Sequence, residues 1–209
     1  MARAHRPSWF YLLVGLVSWP VAYGPFRLRA EGTENLPREG GYVLASNHLS
    51  NVDPWLLGLP LFPHRYLRFM AKSELYWFPL GRLLAAGGAF PVRRGRRDVE
   101  AIETAVQLCR EGHVVVMFPE GTRRSKGLRK RWQPRWHAGA ARIALEAGVP
   151  LVPAAVAGTD RLARLARLRV AYGAPVDVAD LGDVSLPEAA RVATDRLRAA
   201  ITSLERTIA

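Results

Sequence analysis

Val114-Val115-Val116-Met117-Phe118-Pro119-Glu120-Gly121-Thr122-Arg123 is the stretch on which the fold turns. Its first five residues leave no polar face, the pattern of a central strand covered on both sides. Pro119 lacks a backbone N–H and ends the strand. A carboxylate, a glycine, a hydroxyl and a guanidinium follow at once. A strand buried on both faces needs helices above and below its sheet, so this run predicts a layered α/β domain.

Strands and helices alternate on either side of it. Phe26 to Glu31 and Tyr42 to Ser46 read as strands, and Asp53-Pro54 opens a helix, with Asp as N-cap and Pro at the first helical position. Pro60 and Pro63 hold that helix to about two turns. A strand over Arg68 to Lys72 precedes a helix from Ser73 to Ala86 with Pro79 in its middle. Gly88 to Val92 is a strand running into Arg93-Arg94-Gly95-Arg96-Arg97, and Asp98 caps a helix to Glu111. Beyond the central strand come a basic loop over Ser125 to Arg135 and a helix from Ala138 to Ala147 stopped by Gly148. A strand over Pro150 to Ala157, a short one at Arg169 to Ala171 and a closing helix from Pro187 to Leu204 complete the order. Without an internal repeat, this predicts a three-layer α/β domain with a largely parallel central sheet flanked by helices. Ligand sites of such sheets lie at the strand ends.

The chain has 209 residues, enough for one domain with a full core, and 49% of them are hydrophobic, which argues against disorder. Thirty Lys+Arg against 18 Asp+Glu give a formal charge of +12, and lysine occurs only at 72, 126 and 130. The excess is therefore arginine, whose planar fork suits phosphate. An acidic membrane, a phosphorylated substrate or nucleic acid would each answer that charge; no nucleic-acid-binding motif occurs, so none is expected as partner. The single cysteine, Cys109, excludes an internal disulfide and reads as a buried, inert thiol. No Cys/His cluster has metal spacing, so no metal is expected.

Trp9 to Phe26 is apolar and uncharged. As an unbroken helix it would rise about 27 Å, just short of a bilayer core. Pro20, Pro25, Gly15 and Gly24 argue against continuity, which leaves Trp9 to Trp19, about 16 Å long. Three readings stay open: an interfacial or re-entrant anchor, a buried core helix, or a cleaved signal or true span. The aromatic residues Trp9, Phe10, Tyr11 and Trp19 favour the first. Residues 1–26 are thus expected to be an interfacial apolar helical segment, and 27–209 the α/β domain. Arg161 to Arg169 repeats Arg and Leu every three residues, which fits either an interfacial helix or a solvated one packed by its leucines.

His48 and Asp53 can form a proton-accepting pair, because a carboxylate on one imidazole nitrogen fixes the tautomer and leaves the other free to take a hydroxyl proton. Five positions is the wrong spacing for one helix face, and it works only if the chain turns between them. Taken alone, the pair reads as a helix-capping aspartate and a hydrogen-bonded strand-end histidine. Ser46 and Ser50 flank His48, but no nucleophile elbow is present. After the central strand, Gly121 permits close backbone approach, and Thr122 and Arg123 suit phosphate oxygens.

Four blocks together resemble the glycerolipid acyltransferases, most nearly the 1-acylglycerol-3-phosphate (lysophosphatidic acid) branch. They are Asn47-His48-Leu49-Ser50-Asn51-Val52-Asp53-Pro54, Gly88-Ala89-Phe90-Pro91-Val92-Arg93-Arg94-Gly95, Phe118 to Arg123, and Val149-Pro150-Leu151-Val152-Pro153-Ala154. The resemblance implies His48 as general base and Asp53 as its orienting partner. It implies Arg94, Glu120, Gly121, Thr122 and Arg123 around the acceptor phosphate, and Pro153 on the acyl-donor side. Asn47, Lys72, Arg93 and His137 are further candidates. It also implies no cofactor beyond an acyl-CoA or acyl carrier protein thioester, with a membrane lipid as acceptor. The enzyme would sit peripherally or monotopically on the anionic cytoplasmic face of the cell membrane. In Trp136-His137-Ala138-Gly139, His137 stands where relatives usually carry lysine, and the preceding basic loop looks longer than usual.

Overall fold

The computed structural model describes residues 7–92, 99–124 and 135–209. Seven strands form one sheet in the order β1 (Arg29–Glu31), β7 (Arg169–Tyr172), β6 (Leu151–Ala157), β2 (Tyr42–Ser46), β5 (Val114–Met117), β3 (Leu67–Lys72) and β4 (Ala89–Val92). Every pairing is parallel except β6 with β7, so the largely parallel sheet is observed.

Alternation along the strands sorts the core into two layers. Val43, Ala45, Val115 and Leu151 face α4 (Val99–Arg110), α5 (Gly139–Ala147) and α6 (Leu186–Ile208). Tyr42, Leu44, Val114 and Val116 face α2 (Asp53–Gly58) and the C-terminal end of α1 (Trp9–Tyr23), where Ala22 is buried. Each such valine contributes about 1.5–3 kcal/mol by leaving water. The central valines are covered on both faces, which is why their strand shows no polar alternation. In α6 the buried Ala189, Ala190, Ala193, Leu197 and Ile201 recur at three- and four-residue spacing. Gly148, at φ 67°, ends α5 in the left-handed conformation that glycine adopts without steric cost.

Four local expectations are corrected. α1 does not stop at Trp19 but continues through Pro20 to Tyr23. The carbonyl deprived of its donor belongs to Leu16, which is 66% exposed, so no core group is orphaned. The helix expected from Ser73 to Ala86 is a 3-10 turn at Ser73–Leu75 followed by α3 (Leu80–Ala86). Pro79 is its N-cap, in keeping with the bias of a pre-proline residue against helix. Arg161 to Arg169 is not a helix either. A 3-10 segment, Thr159–Arg164, kinks at Arg161, and Leu165 turns at φ 49°. Leu168 and Val170 are then buried beside and within β7, so strand pairing overrides the helical period. Finally, Val52 rather than Asp53 is the N-cap of α2, and Asp53 is its first helical residue.

Candidate active site

The three central strands β6, β2 and β5 deliver their C-terminal ends to one place. β2 ends at Ser46, β5 runs into Phe118-Pro119, and β6 runs into Gly158-Thr159. His48 follows β2, and the turn through Ser50-Asn51-Val52 brings Asp53 back to it. His48 Nδ1 lies 2.8 Å from Asp53 Oδ2. The same oxygen accepts the backbone N–H groups of Leu49 at 2.7 Å and Ser50 at 2.8 Å. A carboxylate bonded this way faces a donor, so Nδ1 carries a proton, and in the neutral ring Nε2 is the nitrogen with the lone pair. The flat face of the imidazole is stacked on Phe118, with ring centroids 4.1 Å apart. The His48 side chain is 15% exposed, while Asp53 is fully buried.

Beside the pair, Glu120 is buried with its carboxylate held by Arg124. The Arg124 guanidinium also reaches Glu205 on α6, and its backbone N–H donates to the His48 carbonyl at 3.0 Å. Glu205 in turn accepts from the Asn47 amide at 2.9 Å, while Asn47 bonds both N–H and C=O of Val156. These bonds join the ends of β2, β5 and β6 to the last helix. Burial raises the Glu120 pKa despite the bonds from Arg124. Burial also pulls Arg124 down, but its bonds to both carboxylates raise it further. Glu120, expected among the phosphate contacts, thus has its carboxylate enclosed by a cation of its own loop. Gly121 takes φ 65°, and a Cβ there would come within 2.9–3.0 Å of the His137 ring. His137 is exposed, with its N–H bonded to the Pro119 carbonyl. Thr122 and Arg123 are half-buried on the same loop.

The other candidates are more dispersed. Pro153 is buried in β6 opposite Ala45, its ring adjoining Gly173. Lys72 ends β3, separated from β2 by β5. Arg93, Arg94, the Asp98 cap and most of the basic loop, residues 125–134, lie outside the described residues. Three residues that the sequence reading missed are Arg124, Glu205 and Thr159. The hydroxyl of Thr159 donates to Asp53 Oδ1 at 2.6 Å, across 106 positions of chain.

An apolar cavity of about 200 Å³ lies between α1 and α2. Tyr11, Val14, Trp55, Phe62 and Phe69 are among its walls, and Asn51 and Pro54 bring it against the His48–Asp53 turn. α1 is held there by Ser8, whose hydroxyl accepts from Tyr11 N–H and donates to the Ala86 carbonyl at 2.6 Å. Its other side exposes Trp9, Leu12, Leu13, Leu16 and Val17, one continuous apolar face. Among the described residues no helix is long and apolar enough to cross a membrane, and no group of His, Cys, Asp or Glu could hold a metal ion.

A paired histidine and carboxylate, an arginine-bearing loop and an adjoining apolar cavity thus meet beside the C-terminal ends of the central strands. Residues 27–157 match the family model described as Acyltransferase, and the chain belongs to that family. It is 34% identical over 178 residues to the 1-acyl-sn-glycerol-3-phosphate acyltransferase of Bacillus subtilis, covering 82% of this chain and 85% of that protein. A chloroplastic 1-acyl-sn-glycerol-3-phosphate acyltransferase of Brassica napus is 32% identical over 162 residues, which span 76% of this chain but 45% of the plant protein. The crystal structure of the 1-acyl-sn-glycerophosphate acyltransferase from Thermotoga maritima shares the fold, with a TM-score of 0.69 at 23% identity over 95% of this chain and 78% of the other. The resemblance to this branch is borne out, and the protein is an enzyme that acylates a hydroxyl.

Proposed function

We propose that the enzyme transfers a fatty acyl group from an acyl thioester, carried by coenzyme A or acyl carrier protein, to the sn-2 hydroxyl of 1-acylglycerol 3-phosphate. The product is phosphatidic acid, a phospholipid precursor. The observation that carries this reading is the His48–Asp53 pair at 2.8 Å, poised between the Phe118–Arg123 loop and the apolar cavity. Nε2 of His48 accepts the acceptor's hydroxyl proton as its oxygen bonds to the thioester carbonyl carbon. The tetrahedral adduct expels the thiolate, which takes that proton from the imidazolium, so the enzyme returns unchanged. In this reading Thr122, Arg123 and the Gly121 backbone hold the acceptor phosphate, and Arg93, Arg94 and Lys72 are further candidates for that charge. Glu120 contributes by fixing Arg124 and the loop, and Pro153 by packing the end of β6. The cavity takes an acyl chain. No cofactor enters these steps.

Residues 1–26 act in this reading as a peripheral or monotopic anchor. α1 lays its exposed apolar face into the cytoplasmic leaflet, and the +12 charge favours an anionic surface. His137 against Gly121, where the family resemblance implies a lysine, favours a second reading with the same chemistry on another lysophospholipid or on glycerol 3-phosphate. Purified protein, a labelled acyl-CoA and a panel of these acceptors decide between the two. Phosphatidic acid as the main product is expected, and His48→Ala should lower the rate about 10²–10⁴-fold. A His48→Ala enzyme of near wild-type rate would remove the mechanism.

A further inference from the structure

We propose that Thr159 is a positioning residue of the reaction, acting through Asp53 on the His48 base. The inference rests on the reading of His48 as that base and extends it to a residue outside the four sequence blocks.

Asp53 is fully buried, so each lone pair of its carboxylate must find a partner inside the protein. Oδ2 is supplied by His48 Nδ1–H and the backbone N–H groups of Leu49 and Ser50, all from the same turn. Oδ1 is supplied by Thr159 Oγ1 at 2.6 Å, from the turn that follows β6. A carboxylate bonded at one oxygen alone resists rotation about Cβ–Cγ less than one held at both, and the imidazole bonded to Oδ2 follows that rotation. The second bond fixes the carboxylate plane and therefore the direction of His48 Nε2. Thr159 is itself 3% exposed, so bulk solvent has little access to its hydroxyl.

The backbone around Thr159 is built for this placement. Gly158 turns the chain at φ 89°, and the Arg167 carbonyl occupies the place where a Cβ would sit, so no larger residue fits. β6 is registered on β2 through Ala45–Pro153 and Ser46–Ala154, and Asn47 bonds Val156 on both sides. The turn that carries Thr159 is thus locked to the strand that carries His48. The nearby charges, Glu120, Arg124 and Glu205, bond one another and Asn47, and leave Asp53 Oδ1 to the threonine.

Valine is nearly isosteric with threonine and lacks the hydroxyl. Thr159→Val should lower kcat about 10–100-fold with KM for both substrates within about twofold, because a bond to a charged group is lost without touching either substrate. Thr159→Ser, which keeps the hydroxyl, should stay within about threefold of wild type. In an Asp53→Asn background Thr159→Val should cost nothing further, because the path it acts through is already broken. Should Thr159→Val not fold, Thr159→Ala measured against Thr159→Ser makes the same comparison. Wild-type kcat in Thr159→Val, equal impairment of the serine variant, or a full additional loss in Asp53→Asn would each overturn the proposal. If His48→Ala is itself fully active, the base assignment fails instead, and the two failures are told apart.

Discussion

Phe118 lies flat against the imidazole of His48, centroids 4.1 Å apart and planes 18° from parallel. Asp53 at the start of α2 fixes the edge of the ring and Phe118, just past β5, its face, so a helix and a strand end jointly orient the imidazole. Removing the phenyl leaves the ring free to tilt while its bond to Asp53 persists. Phe118→Ala should therefore lower kcat by about tenfold and destabilise the fold by about 2–3 kcal/mol, the lower range for a partly buried aromatic. Phe118→Leu should recover most of the stability and only part of kcat. Steady-state kinetics beside thermal melts separate the two effects.

Arg124 between Glu120 and Glu205 makes a second prediction. Arg124→Met leaves the Glu120 carboxylate buried without its cation, a change that costs about 3–5 kcal/mol. Glu205 is more exposed, so Glu205→Gln should cost about 1 kcal/mol or less. Denaturant titration measures both, and equal losses would contradict the asymmetry of burial.

The same group sets a pH dependence. Burial raises the Glu120 pKa above its unfolded value of 4.5. The folded state then binds the proton more tightly, so the contribution of Glu120 is fully present below pH 4.5 and is lost as pH rises through its folded value. Wild type should show this downward slope in unfolding free energy, and Glu120→Gln should lack it. Denaturant midpoints taken at closely spaced pH values above 4.5 test the difference.

Much of this architecture was legible in the chain. β2, β5 and β6 show themselves as buried apolar runs, and the turn signals between His48 and Asp53 indicate how five positions can close into one bond. The rest depends on contacts that local pattern does not encode. Thr159 meets Asp53 across 106 positions and Arg124 meets Glu205 across 81, and neither residue is unusual for its neighbourhood. The arginine–leucine repeat at Arg161 to Arg169 misleads because period three suits a helix, whereas Leu168 and Val170 are claimed by sheet burial. Pro20 misleads for the opposite reason: the carbonyl it leaves without a donor, that of Leu16, lies on an exposed face, where the cost is small.

Gly121 and His137 supply another test. Gly121→Ala forces a side chain into φ 65° and into the His137 ring. The backbone part should cost about 1–2 kcal/mol, and the collision adds to it. Gly121→Ala should raise KM for the acceptor and lower kcat. Adding His137→Ala should restore the collision part alone, leaving a residual defect from the backbone. Complete restoration would show that the left-handed turn is not required.

Cys109 is buried in α4, and burial pushes its thiol up to about 12. Native protein should therefore resist alkylation at pH 8, while denatured protein reacts quickly, because only the thiolate is nucleophilic. Cys109→Ala should keep full kcat. Thiol titration with and without denaturant is the measurement, and rapid native labelling would place the residue at an open surface instead.

α1 exposes Leu13 and Leu16 on the side away from the domain, so polar substitution there leaves the packing of Gly15, Ala22 and the cavity wall intact. If this face enters lipid, each leucine contributes about 1.5–3 kcal/mol to partitioning. Leu13→Glu with Leu16→Glu should then reduce co-sedimentation with phosphatidylglycerol vesicles about 10²-fold or more, with an unchanged thermal melt. Added salt should weaken wild-type binding only in part, because screening removes the arginine attraction and leaves the apolar term. Activity on a short-chain, water-soluble acceptor should survive in the double variant, since the His48 pair is untouched. Vesicle binding that is unaffected by the two glutamates and abolished by salt would assign the attachment to charge alone and leave the apolar face of α1 without that role.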